Sequence, residues 1–163
     1  MAKNDNIILD RLSAGIPGFV SRLWDSTIEQ NIVGDTEIAY GMPVKMVNNA
    51  LSPLESGDTK DSVYGILCRP FPTSSHATAF GEQSTAQPDI VVGVLRRGYM
   101  TVALTQGVAS KGGAVYVRVT AAVDRPAGSF EAVPDGTNSF LLANATFMGD
   151  ADEGGITELC YNI

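Results

Sequence analysis

A mainly β chain, folded as a compact β-barrel or β-sandwich-like domain with long loops and an extended N-terminal arm, is predicted by three observations. Short strand-like apolar runs recur along the chain. Gly and Pro punctuate them, and no pattern of core-helix length follows residue 33. The 163 residues allow one domain with a real core and are too few for two ordinary ones. Hydrophobic residues make up 44% and charged residues only 18%, the balance of a globular chain rather than a disordered one. So little charge leaves weak repulsion between copies, which suits a protein that buries surface against others.

Residues 1–33 read as an N-terminal arm. Ala14-Gly15-Ile16-Pro17-Gly18 breaks any early helix. Phe19, Val20, Leu23, Trp24 and Ile28 then fall at spacings that fit one or two helical turns, which Asp25-Ser26-Thr27 would interrupt. The expectation is an extended arm with a short helix. It carries the single Trp of the chain, Trp24. That side chain either packs on its own domain or lies on a neighbouring subunit.

Residues 34–163 form the expected β domain. The run from Ala39 to Val47 is apolar with Pro43 inside it. A proline removes a ladder donor, so this strand lies at an edge or begins after the proline. Residues 48–61, with Pro53, Gly57 and Asp58, read as loop. Residues 63–68 form a short strand stopped by Pro70 and Pro72. Residues 73–88, rich in Ser, Thr, Ala, Gly and Gln, read as a long surface loop.

Two strand-like stretches, residues 90–95 and 99–104, flank Arg96-Arg97-Gly98. A hairpin turn there would more often carry Asn-Gly or Asp-Gly. Lys111-Gly112-Gly113 turns into a strand where Val115, Val117 and Val119 alternate with Tyr116, Arg118 and Thr120, giving one core face and one polar face. Residues 124–136 read as loop, 140–147 as a strand, 149–155 as a turn region and 156–163 as the last strand.

A net charge of −7 argues against direct nucleic-acid binding, because phosphate neutralisation needs clustered Lys and Arg. The adjacent pair Arg96-Arg97 is too small a footprint for it. No apolar run approaches the ~20 residues that cross a bilayer, and no basic and apolar leader opens the chain, so the expected setting is the cytoplasm or a particle assembled there. Cys68 and Cys160 sit in apolar runs and read as buried, reduced thiols.

Catalytic signals are sparse. The single histidine, His76, lies in a polar loop beside Ser74 and Ser75 with nothing to orient its ring. One His and two Cys do not make a zinc site. Asp150, Asp152, Glu153 and Glu158 form the densest acidic cluster; Asp150, Asp152 and Glu153 before Gly154-Gly155 resemble the start of a calcium loop, but the fuller ligand ladder is missing, and a solvated hairpin tip is the simpler reading. Lys111-Gly112-Gly113 lacks the spacing of a phosphate loop. Neither a catalytic site, a metal site nor a cofactor is expected.

Several stretches resemble the structural cement, or capsid decoration, proteins of tailed bacteriophages and prophages. They are Val63-Tyr64-Gly65-Ile66-Leu67-Cys68-Arg69-Pro70-Phe71-Pro72-Thr73, Val94-Leu95-Arg96-Arg97-Gly98-Tyr99-Met100-Thr101-Val102 and Lys111-Gly112-Gly113-Ala114-Val115-Tyr116-Val117-Arg118. The Asp150-Ala151-Asp152-Glu153-Gly154-Gly155 hairpin before a closing strand is similar as well. So, more loosely, are Pro17-Gly18 and Tyr40-Gly41-Met42-Pro43-Val44. Residues 73–88 lie outside the resemblance. It implies a β domain on the outside of a phage head that binds the major capsid protein, often as a homotrimer, and it places the chain in the virion.

Two contact hypotheses accompany this reading. The segment from Ile16 to Val33, with Phe19, Leu23 and Trp24 as anchors, would lie across neighbouring subunits, and a domain lacking residues 1–33 would still fold. Arg96 and Arg97 would reach carboxylates of a partner or of a sister subunit, or else form a solvated turn. The alternatives to capsid decoration are a tail or other virion interaction module and a small carbohydrate-binding β domain.

Overall fold

A computed structural model of the chain describes residues 15–70 and 85–162. His76 and most of the expected loop at residues 73–88 lie outside the described residues. Eleven strands appear among those described: β1 (Thr27–Ile32), β2 (Ile38–Ala39), β3 (Pro43–Val47), β4 (Ala50–Pro53), β5 (Gly65–Leu67), β6 (Thr85–Ala86), β7 (Val91–Gln106), β8 (Ala114–Arg118), β9 (Phe130–Glu131), β10 (Ser139–Phe147) and β11 (Ile156–Asn162). Helical structure there is limited to three single 3₁₀ turns, Leu23–Asp25, Lys60–Ser62 and Gly136–Asn138. The fold is mainly β and barrel-like, as the composition and punctuation predict.

The 16-residue strand β7 organises everything else. Its second half closes a ring: β7 pairs β11, β11 pairs β10, β10 pairs β8, β8 pairs β9, and β9 returns to β7 in parallel. Its first half belongs to another closure. β7 pairs β5, β5 pairs β3, β3 pairs β4, and β1 pairs β7 from the other side. Val33, just past β1, bridges Leu51 of β4, and the Gly34 N–H donates to the Leu51 carbonyl at 2.8 Å. Closure of this kind removes exposed strand edges.

Each ring has its own apolar filling. Val102, Val115, Val117, Phe130, Phe147, Leu159 and Tyr161 are buried in the larger core. Val33, Val44, Leu51, Leu67, Val92 and Val94 are buried in the smaller one. Val115 and Val117 are the inward face of β8, and Val119 is buried just past its end.

The structure corrects several local expectations. Arg96-Arg97-Gly98 is not a turn; it lies inside the continuous β7. The register with β1 slips between Thr27 and Ile28, where Thr27 faces Arg97 and Ile28 faces Leu95, so Arg96 is the extra residue of a bulge. Gly98 follows with φ +134°, a conformation that other residues rarely adopt. The bulge and glycine bend one strand where the two rings meet, and a bend reads in sequence as a turn.

The loop expected over residues 48–61 contains β4. Asn48 and Asn49, with φ of +49° and +64°, close a two-residue hairpin between Val47 and Ala50. The loop expected over 124–136 contains β9, two residues recruited by pairing with β7 and β8. The end of the 73–88 stretch supplies β6, paired with β2. β3 begins at Pro43 itself and is interior, flanked by β4 and β5. Cys68 is buried and Cys160 only half-buried, and both thiols are free. Burial pushes the Cys68 thiol up to about 12, which leaves it unreactive near neutral pH.

One polar cluster is buried on the opposite face of β8 and β9 from the larger core. Arg118, on the polar face in the sequence pattern, is buried and donates from Nε to Glu131 Oε1 at 2.6 Å and from Nη1 to the Thr120 carbonyl at 3.0 Å. Its Nη2 bonds Asp135. The residue therefore ties β8 to β9 and to the segment that follows.

Candidate interaction surface

The described part of the expected arm, residues 15–33, is laid against β7. The Gly18 N–H donates to the Thr101 carbonyl at 2.8 Å, the Thr101 N–H to the Phe19 carbonyl at 2.9 Å, and the Ser21 N–H to the Tyr99 carbonyl at 3.1 Å. The Thr101 hydroxyl donates to the Ile16 carbonyl at 2.6 Å. On the other side, the Arg69 backbone N–H donates to the Gly18 carbonyl at 2.7 Å and its Nε to the Pro17 carbonyl at 3.1 Å. Its guanidinium also lies 5.4 Å from the centre of the Tyr40 ring. Arg69, from the Arg-Pro-Phe-Pro stretch, is thus an internal clamp on the arm.

After Ser21 the chain leaves β7, makes the single turn Leu23–Asp25, and returns as β1. The Ser26 hydroxyl closes the turn by donating to the Arg22 carbonyl at 2.7 Å. Among the described residues, nothing covers the turn. The Trp24 indole is fully exposed, Leu23 is 66% exposed and Phe19 44%. The three apolar anchors expected from the sequence all stand outward from the described residues.

The same exposed character continues along β1. Ile28 and Ile32 are two of the alternate residues on one face, and both are exposed. Ile32 lies opposite the exposed Val91 of β7. Sequence reading took Ile28 as part of a helical pattern and passed over Ile32 and Val91. The period-two spacing of Ile28 and Ile32 was the signal available, once this segment is read as a strand.

The arginines have close partners within the chain. The Arg96 guanidinium stacks 3.8 Å from the centre of the Tyr64 ring and lies 3.5 Å from the Glu29 carboxylate, which also accepts from the Tyr64 hydroxyl. Accepting that bond helps hold the Tyr64 hydroxyl protonated and raises its pKa, with burial adding to the effect. Arg97 pairs with Asp25 at 3.3 Å, tying the strand to the exposed turn. Arg22 lies 3.9 Å from the Tyr99 ring centre and 3.0 Å from Glu158. The Glu158 hydrogen bond raises the Arg22 pKa despite some desolvation. Sequence reading passed over Arg22 and took Glu158 only as part of the acidic cluster; the two are 136 residues apart and meet only because β11 lies beside β7.

The acidic hairpin supports itself. Asp152 Oδ1 accepts from the Ile156 N–H at 2.8 Å, and the Gly155 N–H donates to the Asp152 carbonyl at 2.9 Å. Asp152 thus serves the turn, as in a hairpin tip.

Comparison with known proteins adds identity to this geometry. Residues 6–162 match the family described as Structural cement protein (E217 gp24/Pam3 gp6). The chain belongs to the phage structural cement protein family. A solved chain from "The capsid of Myoviridae Phage XM1" shares the fold of this cement protein. Its TM-score is 0.72 and its identity 22%, over 99% of this chain and 98% of that one. A search of curated proteins found no match.

Proposed function

We propose that this cement protein binds the outer surface of a phage capsid, holds neighbouring major capsid protein subunits together, and does so as a homotrimer without catalysis. The observation that carries the reading is the turn Leu23–Asp25: in a chain of the cement family, a fully exposed Trp24 stands beside exposed Leu23 and Phe19 on a segment already fixed to β7. Tryptophan is enriched among residues that dominate binding energy.

The fixed arm matters to the energetics. Ordering a free segment costs ~1–2 kcal/mol per residue. Residues 16–22 have met that cost within the subunit, so apolar burial at about 25 cal/mol per Å² acts with less opposing entropy. Three such turns on one trimer would add avidity through effective concentration.

Two measurements test the proposal together: mass by light scattering and co-sedimentation with empty expanded shells. The expected results are a species of three times 17.2 kDa and saturable binding to shells. A monomer that fails to sediment with shells at any concentration would remove the proposal.

A further inference from the structure

The charges around the exposed turn are already matched. Arg22 is held by Glu158, Arg96 by Glu29 and Arg97 by Asp25, so three arginines face three carboxylates with none left over. Two of the three guanidinium groups are also committed to ring faces, Arg22 to Tyr99 and Arg96 to Tyr64. Among the described residues nothing covers the apolar side chains standing out between them: Phe19, Leu23, Trp24 and Ile28 are all exposed. A surface that neutralises its own charge and leaves its apolar groups uncovered complements a partner of the same kind.

From this we infer that the turn docks into an apolar, uncharged recess of the capsid protein, with Trp24 as the inserted side chain. Arg22, Arg96 and Arg97 shape the turn from behind and do not reach the partner. The inference rests on the capsid-binding reading and specifies the chemistry of what is bound. A partner site lined with carboxylates would have to compete with Asp25, Glu29 and Glu158 for each arginine. A basic one would have to strip them away. An apolar recess disturbs none of the three pairs and removes the indole from water.

Trp24 is the single tryptophan of the chain, so its emission reports on this site alone. The full-length protein is titrated with shells of its own phage, followed by co-sedimentation and by tryptophan emission of W24-containing against W24F protein on the same shells. The expected results are a blue shift on binding and an affinity that changes by less than about threefold between ~50 and ~500 mM salt. Trp24→Ala should weaken binding by about tenfold or more. The joint replacement Asp25→Asn with Arg97→Gln should leave it within about twofold, since it swaps one neutral pair for another.

Each failure has its own signature. Sedimentation without a blue shift keeps the capsid reading and overturns the docking of Trp24. A blue shift that grows with protein concentration before shells are added assigns the turn to a second copy and overturns the inference. A steep loss of affinity with salt, or a tenfold loss in the joint variant, shows ionic docking and overturns it as well. No sedimentation at all is a failure of the capsid reading itself.

Discussion

Gly18 and Gly41 interlock. A Cβ placed on Gly41 would fall 2.6 Å from the Gly18 nitrogen, and one on Gly18 would fall 2.9 Å from the Gly41 nitrogen. Both have positive φ, +86° and +82°. Two backbones cross here with no side chain between them, and that crossing lets the Arg69 N–H and the Thr101 carbonyl grip Gly18 from two sides.

Alanine at either glycine should therefore cost about 1–3 kcal/mol, from the strained backbone and the close contact together. Urea unfolding measures the loss. Limited proteolysis reads the arm: the bonds following Phe19 and Leu23 should become protease-sensitive in Gly41→Ala while the rest of the domain stays resistant. A neutral Gly41→Ala would show that the crossing is not what fixes the arm.

Arg118→Met leaves buried Glu131 with only its longer contact to the Arg125 guanidinium, at 3.7 Å. The expected loss is about 3–5 kcal/mol by chemical denaturation, the size seen when one partner of a buried ion pair is removed. Replacing Arg118 and Glu131 together with apolar residues should recover a large part of it, because no buried charge then lacks its partner. If the single and double variants are equally unstable, the pair is not the source of the effect.

The Asp135 carboxyl is held below its ordinary value of 3.8, first by the Arg118 hydrogen bond and then by Asn138. A folded value lower than the unfolded one means stability that is present above about pH 4 and is lost as pH falls through the folded value. Asp135→Asn should be less stable than the parent at pH 7, and the two should converge in acid below pH 3.8. Thermal melts across that range check it. Parallel curves with no convergence would count against the linkage.

Removal of residues 1–33 should destabilise the domain rather than trim it cleanly. β1 is hydrogen-bonded along β7, and the Val33 N–H and carbonyl bond Ile90 and Asp89 at 3.0 Å each. Val33 is fully buried, and losing such a side chain alone costs about 1.5–3 kcal/mol. The melting temperature of the truncated protein decides between an appended arm and a strand of the sheet.

These cases show what the sequence makes legible. β11 declares itself because it pairs along its whole length and alternates its residues between core and outer face, and β8 and β10 do so over part of theirs. The outward stance of Phe19, Leu23 and Trp24 agrees with reading them as contact anchors; their role remains a proposal. β9 was invisible because two residues carry no period, and their strand character comes from neighbours 13 to 26 residues distant. The hairpin at Asn48-Asn49 was hidden because two asparagines in left-handed conformation spell a turn without a glycine. Arg96 and Arg97 misled because adjacent charges suggest solvent, whereas Arg96 is stacked on a ring and only Arg97 stands at the surface.

The shared strand has a consequence during synthesis. The smaller ring draws on residues up to about the middle of β7, so its parts leave the ribosome together and early. The larger ring closes only through β11, whose residues Ile156–Asn162 are made well after those of β7. A nascent chain therefore carries a β7 whose first half has found its neighbours while its second half waits, with an open edge, for β11 to be made. Because long-range closure of this kind is slow, that interval is when two nascent chains side by side are most exposed to pairing with each other.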